Sequence, residues 1–364
     1  MVGAGPAGST TAYRLSRAHA RVLLIDKVRF PRDKPCGGGL TTRAVKQIPF
    51  SVEPVVEDRI TRVRCRLKYG PAMERSSAHV LCLMTQRRRL DEFLVQQAIE
   101  AGATFRDGVR VSVESDRELR IDGQPIHVDA LVGADGANGS TAKSLGLGGA
   151  IVNGVALEGN LPYPGLPGGS WRGTLVLELA TLPGGYGWIF PKGDHVNVGV
   201  GGWGSEGPRL RDHLRVLCEH HGVRLDELTN LRGHRLPMRR PGTVLARGRA
   251  MLVGDAAGMV DPVSGDGMYE GFVTARLAAE HIVENTPDAY AAAVHRELDP
   301  LSSAGWGAKK ALDRFPRAVF AIMRVPVTWT VLQKLMLGEV AHPGEARGAG
   351  RTAMKLVEGL ARAA

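Results

Sequence analysis

Three glycines near the start of the chain, Gly3, Gly5 and Gly8, have the GxGxxG spacing at the mouth of a predicted helix. Glycines at these positions, with the small Ala7 among them, let the backbone turn tightly and approach a pyrophosphate. The free N–H groups of the helix N-terminus then bind that anion. Asp26 ends the next apolar run, roughly 20 residues on, where an acid accepts hydrogen bonds from ribose hydroxyls. The pattern predicts a dinucleotide-binding site.

The strand before this motif is short. Only Met1 and Val2 precede Gly3, whereas the first strand of such a unit supplies roughly five residues. Either the start is truncated, or the sheet lacks most of a central strand. A missing strand would expose sheet edges and weaken cofactor binding, so we expect a truncated start.

Two later segments each run from a predicted strand into an acidic turn, Asp135-Gly136 and Gly254-Asp255. Asp255 suits a ribose or ribityl hydroxyl. The glycine-rich loop after it opens a predicted helix over residues 269–284, so its N–H groups suit the N1/O2 edge of a reduced flavin. Three such segments in this order favour a flavin dinucleotide. The cofactor-binding residues predicted in the two later segments are Asp135, Gly254, Asp255, Gly265, Gly267 and Met268.

The remaining pattern is that of an α/β protein with interleaved domains. An amphipathic helix is predicted over residues 90–101 and a further helix near residues 210–220, and short alternating runs between residues 109 and 128 predict a β-meander. Residues 150–236 are rich in glycine, proline and β-formers, and helical patterning continues to the C-terminus. We assign residues 1–50, 85–150 and 245–290 to a cofactor domain, 51–84 and 151–244 to a β-sheet substrate domain, and 291–364 to a C-terminal helical region.

Composition narrows the classes of partner. The net charge is +10, but the sequence has no compact Lys/Arg tract interleaved with aromatic residues, so we expect no nucleic-acid partner. The four cysteines form no CxxC pair and have no metal-ligand spacing with histidine, so we expect a cytoplasmic setting and no metal site. Residues 318–337 are apolar but interrupted by Arg324, Pro326 and Lys334. We favour a buried helix there over an interfacial membrane helix, and both stay open.

The order of these motifs resembles the flavoprotein class that includes the aromatic hydroxylases. In addition, Arg87-x-x-Leu90-Asp91-x-x-Leu94 is similar to the motif before a helix in that class, whose arginine lies along the cofactor. The resemblance implies a GxGxxG FAD-binding fold with an interleaved β-sheet substrate domain and C-terminal helices.

Two further segments resemble the geranylgeranyl reductase family. Pro35-Cys36-Gly37-Gly38-Gly39 is similar to the Cys-Gly loop of that family, and residues 186–201 are similar to its YxWxFP…GxG signature. The resemblance implies a reductase that saturates C=C bonds of a prenyl chain on a geranylgeranyl lipid or a prenyl quinone such as menaquinone. It also implies FAD as cofactor, reduced by NAD(P)H or a ferredoxin-like donor. Such a lipid substrate would bring the protein to the inner face of a membrane as a peripheral protein.

The resemblance also proposes roles for single residues. Cys36 and Tyr186 are candidates to shape or acidify the substrate slot, and Cys36, Gly37, Gly38 and Arg87 are expected to contact the cofactor. The alternative for Cys36 is a small buried apolar side chain.

Trp188 and Phe190 alternate with Tyr186, so on a strand the three aromatic side chains share one face. They would wall an apolar tunnel or belong to the core, and both interpretations stay open. Gly199 and Gly201 would leave room for a ligand on the neighbouring strand.

Two other functions remain. A flavin-dependent monooxygenase or halogenase has the same fold, but halogenases carry a WxWxIP strand where this chain has Tyr186 and Phe190 at the first and fifth positions. The second is a flavin or nucleotide binder without catalysis, which would bind flavin and never turn over.

Overall fold

The computed structural model describes residues 1–163 and 171–364. Helices and strands alternate over the first part of the chain, strands dominate the middle, and helices form the C-terminal part. The helices are α1 Pro6–Arg17, α2 Thr42–Val45, α3 Arg87–Glu100, α4 Thr141–Ser144, α5 Leu210–His220, α6 Met268–Val283, α7 Tyr290–Arg314, α8 Pro316–Arg324, α9 Pro326–Leu337 and α10 Gly348–Ala363.

The strands belong to a cofactor-side sheet, a large sheet, a small sheet and a meander. They are β1 Leu23–Ile25, β2 Gly39–Thr41, β3 Val56–Ile60, β4 Arg62–Leu67, β5 Met73–Ser76, β6 Cys82–Thr85, β7 Thr104–Arg106, β8 Val111–Val113, β9 Glu118–Ile121, β10 Gln124–His127, β11 Leu131–Gly133, β12 Ile151–Pro162, β13 Thr174–Leu179, β14 Tyr186–Lys192, β15 His195–Trp203, β16 Thr229–Arg239, β17 Ala246–Arg247 and β18 Ala250–Leu252.

The cofactor-side sheet is parallel around its centre. β1 pairs with β7 and β11 pairs with β18, both in parallel. Val2 forms parallel bridges to Ile25 and to Gly133, so it joins the two pairs. The Val2 N–H donates to Val132 O at 2.9 Å, and Val2 O accepts from Ala134 N at 2.7 Å. The few residues before the GxGxxG motif therefore occupy the central strand position that the pattern requires.

The large sheet has seven strands within the described residues, in the order β16-β12-β15-β14-β13-β4-β5. One face packs on α5, where Leu214 and Leu217 are fully buried against alternate residues of β15 such as Val198. Each such buried leucine stabilises the fold by about 1.5–3 kcal/mol. The opposite face is therefore the one available to a site.

Two smaller sheets complete the architecture. β10, β9 and β8 form an antiparallel meander, as the alternating runs predicted, and β2, β6 and β3 form a three-stranded sheet next to the large one. The predicted helix near residues 210–220 is confirmed as α5.

The apolar segment at residues 318–337 forms two helices rather than one. α8 ends at Arg324 and α9 begins at Pro326, because proline lacks an N–H and disfavours helix in the residue before it. Val319 and Phe320 of α8 and Val331 of α9 are buried, whereas Val325 between the helices is 47% exposed. Over residues 1–163 and 171–364, every helix is too short or too polar to cross a membrane.

Candidate functional site

The GxGxxG loop packs as closely as the motif predicts. Gly3 has φ +102°, which favours glycine, and a Cβ there would lie 2.2 Å from Ala134 O. A Cβ on Gly8 would lie 2.0 Å from Gly3 O. The loop leads directly into α1, whose first turn carries neither an acidic residue nor a side-chain cap from the described residues. The backbone N–H groups at this end are therefore available to an anion.

A buried arginine, Arg87, and a half-buried one, Arg32, lie beside this helix end. Arg87 donates to both Asp91 oxygens, at 2.7 and 2.8 Å, and Arg32 Nη2 lies 3.0 Å from Asp91 Oδ2. A Cβ on Gly5 would lie 3.3 Å from Arg32 Nη2 and 4.0 Å from Arg87 Nη2. Arg32 Nε is buried without a hydrogen-bond partner among the described residues. This donor set fits the pyrophosphate of a dinucleotide.

Sequence reasoning predicted Arg87 but missed Arg32. Many arginines are spread over the chain, and nothing in its spacing separates Arg32 from them. Burial alone would lower the pKa of Arg87, but the Asp91 carboxylate outweighs burial and raises it. The Arg87 guanidinium therefore keeps its charge next to Gly5.

The two predicted acids at strand ends hold the turns that surround the loop. Asp26 accepts from the N–H groups of Ala4 and Val28, each at 2.9 Å. Asp135 accepts from Thr141 N at 2.9 Å, and its Oδ1 is buried without a hydrogen-bond partner in the described part of the chain. A carboxylate oxygen accepts more than one hydrogen bond, so both acids keep capacity for a ligand.

Asp255 lies between a lysine and the second glycine-rich loop. Its Oδ2 lies 2.8 Å from Lys34 Nζ and 3.7 Å from His234 Nε2, and a Cβ on Gly267 would lie 3.2 Å from its Oδ1. Burial alone would raise the pKa of Asp255, but Lys34 and His234 together outweigh it and lower the pKa below its ordinary range. Asp255 is therefore an ionised acceptor at the start of the loop that contains Gly265.

The three motif segments meet in space. A Cβ on Gly8 would lie 3.0 Å from Ala134 Cβ, and a Cβ on Gly254 would lie 3.0 Å from Ala7 Cβ. Met268 begins α6, and its N–H donates to Asp266 Oδ1 at 2.8 Å. The sequence order of the motifs thus corresponds to one continuous cradle along the cofactor-side sheet.

The Cys36–Gly38 loop lies against the open face of the large sheet. A Cβ on Gly37 would lie 2.9 Å from Phe190 Cδ2, and the Gly38 N–H donates to Cys36 Sγ at 3.3 Å. Gly38 has φ +83°, and its carbonyl accepts from Thr85 N at 2.8 Å. Cys36 is half-buried, whereas the other three cysteines are buried.

The aromatic residues of β14 share the face that receives this loop. Tyr186 pairs with Gly201 and Trp188 with Gly199 across the strands. A Cβ on Gly199 would lie 2.2 Å from Trp188 Cζ2, so the space above Gly199 holds the indole ring. The nearest atom to a Cβ on Gly201 would be 3.4 Å away. Gly199 thus gives the Trp188 ring its position, and a ligand would meet that ring first.

Tyr186 connects the aromatic row to the glycine-rich loop of the cofactor cradle. Its hydroxyl donates to Ser264 O and would be 3.8 Å from a Cβ on Gly265. Burial raises the pKa of Tyr186, and the charges of Asp266 and Asp261 raise it further. The phenol therefore stays protonated at neutral pH, as a hydrogen-bond or proton donor.

Three buried polar side chains lie next to the aromatic row of β14, and they were not predicted from the sequence. Glu158, Lys192 and Asn197 are 8%, 6% and 1% exposed. Asn197 accepts from Trp188 Nε1 at 2.7 Å, and Glu158 Oε1 accepts from Cys36 N at 2.7 Å. Lys192 follows Phe190 at the two-residue spacing that also separates Trp188 from Phe190. This spacing was the sequence signal that could have placed Lys192 on the same face of the strand.

Comparison with known proteins agrees with this geometry. The FAD binding domain family matches residues 1–157. The structure of a geranylgeranyl bacteriochlorophyll reductase-like protein from Thermoplasma acidophilum superposes with a TM-score of 0.77 at 21% identity, covering 99% of this chain and 98% of that one. The flavin-dependent brominase Bmp2 superposes with a TM-score of 0.79 at 17% identity, covering 100% and 98%. The fold is that of the FAD-binding flavoproteins of the aromatic-hydroxylase-like class.

Sequence similarity narrows the class to a family. The menaquinone reductase of Mycobacterium tuberculosis is 36% identical over 315 residues, which cover 77% of this chain and 75% of that protein. The geranylgeranyl diphosphate reductase of Rhodobacter capsulatus is 30% identical over 300 residues, covering 77% and 73%. The chain belongs to the geranylgeranyl reductase family of FAD-dependent oxidoreductases.

Proposed function

We propose that this chain saturates C=C bonds in the prenyl chain of a geranylgeranyl lipid or of a prenyl quinone such as menaquinone. The observation that carries the proposal is the contact between the Cys36–Gly38 loop and the aromatic row of β14. That contact, between Gly37 and Phe190, supports a slot in which a thiol and a phenol lie at an apolar wall beside the FAD cradle. The named relatives act on the same two classes of prenyl compound, which supports the choice of substrate.

The chemistry requires a proton donor as well as a hydride donor. Bound FAD in its reduced form supplies the hydride. An isolated trisubstituted alkene accepts hydride poorly, so a proton must reach its less substituted carbon in the same slot. Cys36 and Tyr186 are the two side chains that we propose as proton donors on this wall. Trp188 and Phe190 hold the prenyl chain and exclude water.

The electron donor is a separate part of the proposal. We propose NAD(P)H or a ferredoxin-like protein as the external reductant. Anaerobic mixing of the oxidised enzyme with each donor, followed by visible absorbance, distinguishes them, because only the true donor bleaches the flavin at a rate that supports turnover.

Contact with the substrate's membrane is proposed at the junction of α8 and α9. Val325 is 47% exposed there, between the exposed Arg317 and Arg324 on one side and Pro326 on the other. An apolar tip flanked by cations suits peripheral docking on anionic lipid. We propose that the protein works at the cytoplasmic face of the membrane.

The alternative is a flavin-dependent halogenase or monooxygenase, because the chain also superposes on the flavin-dependent brominase Bmp2. At 17% identity that superposition shows the fold alone. The reduced enzyme should be given menaquinone or a geranylgeranyl lipid without oxygen, and separately oxygen with halide and a small aromatic substrate. Products are then identified by mass spectrometry.

Prenyl products that have gained hydrogen, with the fully saturated lipid as an inert control, support the reductase. Halogenated or hydroxylated aromatic products would replace it with the alternative. Bound flavin that turns over with none of these substrates would indicate a binder without catalysis.

A further inference from the structure

Cys36 is held from both sides by buried charges. The carboxylate of Glu158 accepts from the Cys36 N–H at 2.7 Å, and Lys192 Nζ donates to Cys36 O. Glu158 is on β12 and Lys192 on β14, 122 and 156 residues away from Cys36 along the chain. Two charges from distant strands thus converge on the two peptide groups that flank one side chain.

The two charged side chains are costly to bury within the large sheet. Burying an ionised side chain costs free energy unless it is paired and hydrogen-bonded. Glu158 and Lys192 are both less than 9% exposed, and among the residues that the structure describes the one hydrogen bond that each side chain makes to the backbone goes to Cys36. Burial raises the pKa of Glu158, and Lys192 and the Cys36 N–H lower it again without restoring the ordinary value.

The residues after Cys36 are fixed as well. Gly38 O accepts from both the N–H and the hydroxyl of Thr85, at 2.8 and 2.9 Å, and Gly37 lies against Phe190. The Cys36 Sγ in turn accepts the Gly38 N–H. The thiol therefore has one location, set by the backbone around it rather than by contacts to its own side chain alone.

We propose that Glu158 and Lys192 are positioning residues that hold the Cys36 thiol at the end of the aromatic row. A charge-assisted hydrogen bond on each flanking peptide group fixes the backbone and directs Sγ towards the slot. Reacting groups must be held within a fraction of an ångström for efficient transfer, so this clamp sets the rate of any step that uses the thiol. Only the use of the thiol rests on the function proposed above, and the clamp itself does not.

The test uses the reactivity of Cys36 in the FAD-loaded protein. Iodoacetamide should modify Cys36 selectively, because the other cysteines are buried. Modification is followed by mass spectrometry of the peptide that contains Cys36. Glu158→Gln and Lys192→Met each remove one side of the clamp. Two variants serve as controls. Lys192→Arg keeps a charged donor, and Glu178→Gln removes a buried carboxylate on the other face of the same sheet.

We expect Glu158→Gln and Lys192→Met to raise the alkylation rate about tenfold, the size of effect that loss of one charge-assisted hydrogen bond produces. Lys192→Arg should stay near wild type, and Glu178→Gln should not change the rate. Flavin content, read from visible absorbance, should be unchanged in all four variants. If Lys192→Met does not fold, the isosteric Glu158→Gln decides alone.

Alkylation rates for Glu158→Gln and Lys192→Met that equal or fall below the wild-type rate overturn the clamp. A rise of the same size in Glu178→Gln also overturns it, because the effect would then follow general destabilisation. With a prenyl substrate, the clamp variants should lower kcat and leave KM unchanged. If the wild-type protein reduces no prenyl compound, the proposed function fails while the alkylation rates still decide the clamp.

Discussion

Cys36 is the residue at which the cofactor cradle, the aromatic row and the buried charges meet. Its backbone is bound by Glu158 and Lys192, and the glycine after it touches Phe190. The Cys36 thiol is the proton donor that we propose this loop brings to the apolar wall. Its removal should therefore affect chemistry more than binding.

Cys36→Ala should lower the rate of prenyl reduction by roughly 10²–10⁴, the usual contribution of a positioned acid. The measurement is reoxidation of the reduced flavin by substrate without oxygen, in a single turnover. Cys218→Ala is the matched control, because Cys218 is a buried residue of α5, which packs on the opposite face of the sheet. A wild-type rate in Cys36→Ala would remove the thiol from the mechanism and leave Tyr186 as the donor.

Glu270 gives a prediction about pH and stability. Burial raises its pKa to about 8, the charges of Asp261 and Asp266 add to the shift, and Arg43 opposes it. An acid with a raised pKa binds its proton more tightly in the folded state. The contribution of Glu270 to the free energy of unfolding is therefore largest below its ordinary pKa of 4.5 and falls as pH rises towards about 8.

Glu270→Gln should flatten this decline, with a gain over wild type of roughly 1–3 kcal/mol at pH above 8. The Oε2 atom of Glu270 has no hydrogen-bond partner among the described residues, so the amide should lose little there. Denaturant unfolding at a series of pH values measures the effect, with the exposed Glu92→Gln as control. Parallel pH curves for Glu270→Gln and wild type would show that Glu270 is ionised in the folded protein.

At the scale of elements, the pair β14 and β15 positions the aromatic wall. The side chains of Tyr186, Trp188 and Phe190 share a face because side chains alternate along a strand, and the sequence predicted this correctly. What alternation does not show is that Gly199 provides the space for the Trp188 ring. That relation depends on the register between two strands.

Gly199→Ala should displace the Trp188 indole and cost about 1–3 kcal/mol of stability, as overpacking does. Gly201→Ala is the matched control two residues away, where the added Cβ makes only ordinary contacts at 3.4 Å and beyond. Tryptophan fluorescence and thermal unfolding report the two effects. Equal behaviour of the two variants would contradict the packing of Trp188 over Gly199.

The helices and strands could largely be predicted from the sequence, whereas contacts between distant elements could not. The GxGxxG turn, α5 and the meander follow from local patterns of glycine and apolar residues, and the structure has them. Arg32 and Glu158 belong to the site through contacts that join distant parts of the chain, so no local pattern identifies them. Lys192 had a local signal, its two-residue spacing after Phe190, but its contact with Cys36 also joins distant parts of the chain. Pro326 interrupts the apolar segment in the sequence, and in the structure one helix ends before Pro326 and the next begins at it.

At the scale of the whole molecule, the net charge of +10 and the tip between α8 and α9 give a prediction about membranes. The protein should bind anionic vesicles at low salt and release them at high salt, since each cation near the surface contributes about 1 kcal/mol. Val325→Asp should weaken binding in a flotation assay. Val244→Asp, at a residue 42% exposed elsewhere, should not. Equal binding by both variants would move the contact away from this tip.

We propose that, in the molecule as a whole, electrons pass from the flavin to a prenyl C=C bond. The most direct measurement reduces the bound FAD without oxygen, adds a limiting amount of menaquinone or geranylgeranyl lipid, and counts flavin reoxidised against double bonds lost. We predict one double bond lost for each flavin reoxidised, with a product heavier by two hydrogens. Reoxidation that leaves every double bond intact, or that requires oxygen, would contradict prenyl reduction.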